Sequence, residues 1–144
     1  MNWDAVGRAG NAYVLCEAKA HVGEIVKRYV PGDSPSVEQR NRAFAFAKTM
    51  VGADPSADWM HNFYQMANRL YILALLTECE IEAILLNVYF CGDRFRGREC
   101  PESREGWETI LKEEYGKLGI DEQSPFFASH VKNLFLSVDS ADPM

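Results

Sequence analysis

The chain has 144 residues, 47 % of them hydrophobic, and a formal net charge of −6. That length is most simply one domain with a real buried core. The negative balance argues against a protein that coats nucleic acid electrostatically, although a few basic residues beside a metal would serve an enzyme that touches it locally. The four cysteines, Cys16, Cys79, Cys91 and Cys100, form no CxxC pair, which argues against a zinc ribbon. No stretch reads as a signal peptide, and none is apolar for long enough to span a bilayer. A reduced, cytoplasmic setting with no membrane partner is therefore expected.

Residues 3–19 read W-D-A-V-G-R-A-G-N-A-Y-V-L-C-E-A-K. Two strand-like runs flank Gly10-Asn11, a hairpin signal because glycine accepts the positive φ of a type II′ turn. A two-residue turn there, or a four-residue loop from Ala9 to Ala12, gives one register. Ala9 faces Ala12, Arg8 faces Tyr13, Val6 faces Leu15 and Asp4 faces Glu17. Opposed side chains on one face of an antiparallel pair have Cβ atoms about 4.5–5.5 Å apart, and like charges there repel. Asp4 and Glu17 are thus expected to aim two carboxylates at one spot, with Lys19 on the same face. The other face, Trp3, Ala5 and Gly7 with Val14, Cys16 and Ala18, is small and apolar. Such a carboxylate pair asks for a cation, and a hard divalent ion such as Mg²⁺ (or Mn²⁺) suits its oxygens.

The pattern in residues 21–29 predicts a short helix, with Val22, Ile25, Val26 and Tyr29 at helical spacing. Pro31-Gly32-Asp33-Ser34-Pro35 breaks the chain. A second helix follows over 37–51, capped by Ser36, or by Ser34 with Pro35 at its first position. A third runs from Asp54-Pro55-Ser56 to about residue 79. Along it His61, Gln65, Asn68 and Ile72 share a face beside Arg69, either solvated or set to hydrogen-bond metal ligands or a phosphate. Residues 80–91 are near-continuously apolar, which suits a strand buried on both faces. The helices before it supply the crossover that parallel pairing needs. Arg94, Arg96 and Arg98 then form a basic loop, either solvated or placed for phosphate at the C-terminal end of that strand. A helix over 101–117 buries Trp107, Ile110, Leu111 and Tyr115. Residues 121–129 read as a loop, and 131–138 as a final strand. The expected fold is α/β, a small mixed sheet with an N-terminal hairpin and flanking helices in the order ββαααβαβ. Residues 1–138 form its single domain and 139–144 a flexible tail.

Asp4 followed by Glu17-Ala18-Lys19 on the next strand of a hairpin, then helices and a strand-helix-strand, resembles the PD-(D/E)xK phosphodiesterase superfamily with its restriction-endonuclease-like fold. W-D-A-V-G-R, V-L-x-E-A-K-A-H, Y-Q-x-A-N-R-L and C-P-x-S-x-x-x-W resemble stretches of uncharacterised bacterial proteins placed in that superfamily. The resemblance covers most of the chain in topology. It implies a metal-dependent phosphodiester hydrolase, nuclease-like, acting on nucleic acid. Asp4 and Glu17 would hold Mg²⁺ or Mn²⁺, with the Ala18 carbonyl as a further ligand. Lys19 would orient or activate the attacking water. Gln65 lies where some nuclease branches place a glutamine, although Arg69 stands where those branches have tyrosine. His21, Asn68, Arg69, Arg94 and Arg96 would be substrate contacts. Trp3, not proline, precedes Asp4. The superfamily usually has a helix and a strand before the strand bearing the aspartate. The resemblance therefore also implies a second copy or a partner protein covering the hairpin.

Three readings follow. A nuclease-type hydrolase requires Asp4 and Glu17 within reach of one ion and Lys19 in the same cavity. A catalytically inactive member serving as an interaction subunit requires a closed or misaligned cluster and an exposed apolar patch. In an unrelated α/β domain, Asp4, Glu17 and Lys19 would be a plain ion-pair network.

Overall fold

The computed structural model describes residues 2–26, 37–95 and 97–139. The end of the helix expected over 21–29, the caps Ser34 and Ser36, Arg96 and the tail beyond Asp139 lie outside the described residues. The fold is mixed α/β. The hairpin forms in the expected register: β1 (Ala5–Ala9) pairs antiparallel with β2 (Ala12–Lys19), Val6 opposite Leu15 and Arg8 opposite Tyr13. Gly10 takes φ 61°, the conformation for which the turn needs glycine. Then come a 3-10 turn (Val22–Glu24), α1 (Val37–Val51), α2 (Tyr64–Glu78), β3 (Ala83–Cys91), α3 (Arg104–Leu118), α4 (Pro125–His130) and β4 (Val131–Ser137). The sheet runs β1-β2-β3-β4, with β2, β3 and β4 parallel.

Several elements depart from the sequence reading. A 3-10 turn stands where the helix over 21–29 was expected to begin. Glu24 folds back to accept from the Ala20 and His21 amides, and the Val22 amide donates to the Glu99 carbonyl instead of continuing a helix. The third helix starts at Tyr64, not near residue 56. Asp54 and Asp58 accept from the amides of Ser56, Met60 and His61, and these local bonds outcompete helix for that stretch. The 121–129 segment contains α4, whose Ser124-Pro125 start matches proline's preference for the first helical position.

The sheet has one covered face, where two had been expected. Along β3 the odd residues Ala83, Leu85, Asn87, Tyr89 and Cys91 are all buried; on the even side Val88 is buried as well, whereas Ile84, Leu86 and Phe90 keep partial exposure. The core joins the odd face to helix residues Leu70, Leu73, Trp107 and Leu118 and takes nothing from the even face. Two indoles tie the layer down. Trp107 Nε1 donates to the Phe90 carbonyl and Trp59 Nε1 to the Leu118 carbonyl, each at 2.8 Å. Gly119, at φ 66°, closes α3 against the Asp54 loop. A Cβ there would stand 2.6 Å from Asp54 Cβ. On the small apolar face of the hairpin, Val14, Cys16 and Ala18 of β2 are half-buried, whereas β1 is exposed along its length. No described helix is long and apolar enough to cross a membrane.

Leu85→Ala, at a fully buried position, is expected to lower unfolding free energy by about 2–5 kcal/mol. Val6→Ala, at a position 60 % exposed, should stay within about 0.5 kcal/mol of wild type in the same urea titration.

Candidate functional site

Strand alternation puts Leu15, Glu17 and Lys19 on the covered face of β2, and the parallel register sets Glu17 beside Asn87 and Lys19 beside Tyr89. Helix α2 crosses above them. Its Gln65 and Arg69, one turn apart, reach the same cavity, and α3 adds Glu114. The cavity measures about 20 Å³ and is lined by these groups with Ile25, Met66, Asn87 and Tyr89. That is room for roughly one water or a bare ion.

Glu17 is only 4 % exposed and Arg69 6 %. Glu17 Oε1 pairs with Arg69 Nη2, and Lys19 Nζ stands 3.3 Å from Glu17 Oε2. One carboxylate is thus held between two cations. Arg69 has further duties. It donates to the Asn2 carbonyl at 2.8 Å, and its guanidinium lies 4.4 Å from the centre of the Trp3 ring. This corrects the placement of Trp3, which was expected on the small apolar face. The chain bends at Asp4 and carries the indole to the helix side.

That bend also decides what Asp4 does. β1 stops at Ala5, and the exposed Asp4 carboxylate accepts from the Ala18 amide at 2.7 Å, doing the work of the missing ladder partner. A strand residue's N–H and C=O point to the same side. Asp4 therefore sits at the edge where Ala18 presents its backbone, next to the strand that carries Glu17, and does not itself line the cavity.

The other expected site residues divide. Gln65 and Arg69 join the cavity. Asn68 turns toward α1, accepting from Arg40 at 3.1 Å. His61 pairs with Asp58 at the surface. His21 is buried between carboxylates, 2.8 Å from Asp93 and 3.3 Å from Glu24, and fastens the 3-10 turn to the loop after β3. Arg94 is exposed on that loop. Neither His21 nor Arg94 lines the cavity.

Two groups escaped the sequence reading. Glu114 is 2 % exposed, and its Oε2 has no hydrogen-bonding partner among the described residues. Burial pushes its carboxyl up to about 8, against an opposing pull from Lys19. Its signal was legible: Trp107, Leu111, Glu114 and Leu118 follow helical spacing, so one glutamate interrupts an apolar stripe. Asn87 likewise interrupts the most apolar strand. It donates to Asn133 Oδ1 at 3.1 Å, and Asn133 donates to the Tyr115 hydroxyl at 2.8 Å.

The donors suit a hard cation in kind. Glu17, Asp4 and the Ala18 carbonyl are all oxygen ligands, and the orphaned Glu114 oxygen is a fourth nearby. In number they are sparse: no group of three acidic, histidine or cysteine side chains is gathered among the described residues. Comparison with family models, curated proteins and solved structures returns no match to this chain.

Glu114 has a stability consequence. Its folded-state pKa, about 8, lies above the ordinary carboxylate value. The folded chain therefore holds a proton that the unfolded chain has released, and stability falls as pH rises from about 4.5 to about 8. Glu114→Gln should remove that slope. It should match wild type near pH 4 and exceed it at pH 9 by a few kcal/mol, on the order expected for several pKa units, in urea unfolding at both pH values. Arg69→Met, which leaves Glu17 with Lys19 alone and its Oε1 unanswered, should cost about 3 kcal/mol, and adding Glu17→Gln should recover most of the loss.

Proposed function

We propose that the chain is a metal-dependent phosphodiester hydrolase of nuclease type, centred on Glu17 and Lys19. The observation that carries this reading is the pairing of a buried carboxylate and a lysine on one strand face, roofed by Arg69 and Gln65. Glu17 would hold Mg²⁺ or Mn²⁺ with the Ala18 carbonyl and Asp4. When bound, the ion supplies Lewis acidity and a water of lowered pKa. Lys19 would orient that water and, with Arg69, meet the charge that grows on the phosphoryl oxygens.

Access follows from exchange of partners. A cavity of about 20 Å³ does not admit a phosphodiester, and Glu17 is already paired with Arg69. A phosphate, like a carboxylate, offers a guanidinium bidentate acceptors, so a phosphodiester that arrives with a cation can take over Arg69 while the cation takes over Glu17. Arg69 would move from Glu17 to the phosphate, freeing the carboxylate for the cation. The charge of −6 makes unaided capture of nucleic acid weak, so a partner protein that delivers it fits this reading.

The same pairing favours a second reading, an interaction subunit of the same fold without catalysis. Glu17 is fully compensated by Arg69 and Lys19, and Asp4 is engaged on the backbone. Cleavage assays on linear, circular and single-stranded DNA and on RNA, with Mg²⁺ and Mn²⁺, separate the two. The hydrolase reading expects cleavage by wild type, reduced roughly 10²–10⁴-fold by Glu17→Ala and by Lys19→Ala. Activity that survives both substitutions moves the site elsewhere. No cleavage with either metal leaves the interaction subunit.

A further inference from the structure

The even face of the sheet is apolar; Val88 on it is buried, and Val14, Cys16, Ile84, Leu86 and Leu134 are half-buried. In register across the strands it carries Ala5, Cys16, Leu86 and Lys132 in one row, with Gly7, Val14 and Ile84 on one side and Ala18, Val88 and Leu134 on the other. No described helix packs on it, and Lys132 is its one charge among these positions. Sheets dominated by parallel pairs are normally covered on both faces. We infer that this face is a twofold interface between two copies of the chain.

Dimensions select a sheet as the occupant. Four strands about 4.8 Å apart, each contributing about seven residues of about 3.3 Å rise, span roughly 19 by 23 Å. A single helix, about 10 Å across, covers only half that width. The projected area is roughly 450 Å² per copy, about 900 Å² for the pair before side-chain relief is counted, close to the roughly 1,000 Å² that marks a specific interface.

Relief and charge select a second copy. The β1–β2 half is low, built of Ala5, Gly7, Val14, Cys16 and Ala18. The β3–β4 half is high, built of leucines, Ile84 and Phe90. A twofold axis parallel to the strands, between β2 and β3, lays each high half on the other copy's low half. The surface is then complementary to itself, as an isologous contact requires. The same operation carries Lys132 over Ala5 of the second copy, next to the exposed Asp4. The single cation of the face, whose Nζ donates to the Ala128 carbonyl of its own chain at 2.6 Å, then has a carboxylate of the second copy near it at the rim.

Light scattering and sedimentation equilibrium on the full chain, with a reductant present, test this. Wild type is expected at twice the 16.3 kDa chain mass. Leu86→Glu should run at the chain mass with an unchanged circular-dichroism spectrum, and Leu134→Gln serves if Leu86→Glu does not fold. Lys132→Glu should weaken the dimer about tenfold, through loss of the rim attraction and a new repulsion. Wild type at the chain mass at every concentration overturns the proposal. So does a dimer that survives folded Leu86→Glu or Leu134→Gln, or one split by Val6→Lys at the free β1 edge and not by these.

Discussion

A carboxylate buried between a helix and a sheet is the constraint on which much of this molecule depends. Removing a carboxylate from water costs several kcal/mol unless a partner answers its charge. Glu17 is answered twice, by Arg69 from α2 and by Lys19 two residues along its own strand. This fixes the path of α2 over the C-terminal half of β2. It also fixes the start of the chain, because the guanidinium that holds Glu17 holds Trp3 and the Asn2 carbonyl as well. Pairs of this kind add less to stability than their geometry suggests, while removing one partner is costly.

The second organising fact is the asymmetry of the sheet. Every described helix lies on the face that carries Glu17, Asn87, Tyr89 and Phe135. That face holds the polar groups and the charge. The opposite face holds small and apolar side chains with Lys132. In the proposed hydrolase and its proposed dimer the two faces divide chemistry from association, with Glu17 and Lys19 on one side of β2 and Cys16 and Ala18 on the other.

Local rules made much of the fold legible. Gly10-Asn11 set the hairpin register, helical spacing located α1 and the body of α3, and the apolar run located β3. Legibility failed where short polar side chains compete with the backbone. Asp54 and Asp58 wrap their own amides, delaying α2, and Glu24 does the same at the 3-10 turn. It failed again where a tertiary contact redirects a residue. Alternation puts Trp3 on the open face, but Arg69 draws it across. Of the candidate site, Glu17 and Lys19, set on one face by strand alternation, line one cavity with Gln65 and Arg69. Asn68 does not, because Arg40 claims it. Glu114 came from an element read only for its apolar stripe.

If Glu17 is a metal ligand held in reserve by Arg69, loading the site must separate the two. A crystal structure grown with saturating Mn²⁺ and a non-cleavable phosphodiester, recorded at the manganese edge, tests this directly. The account predicts an anomalous peak beside the Glu17 carboxylate and the Ala18 carbonyl, with Arg69 turned to the phosphate. Glu17 still paired with Arg69, and no peak at either oxygen, would contradict it.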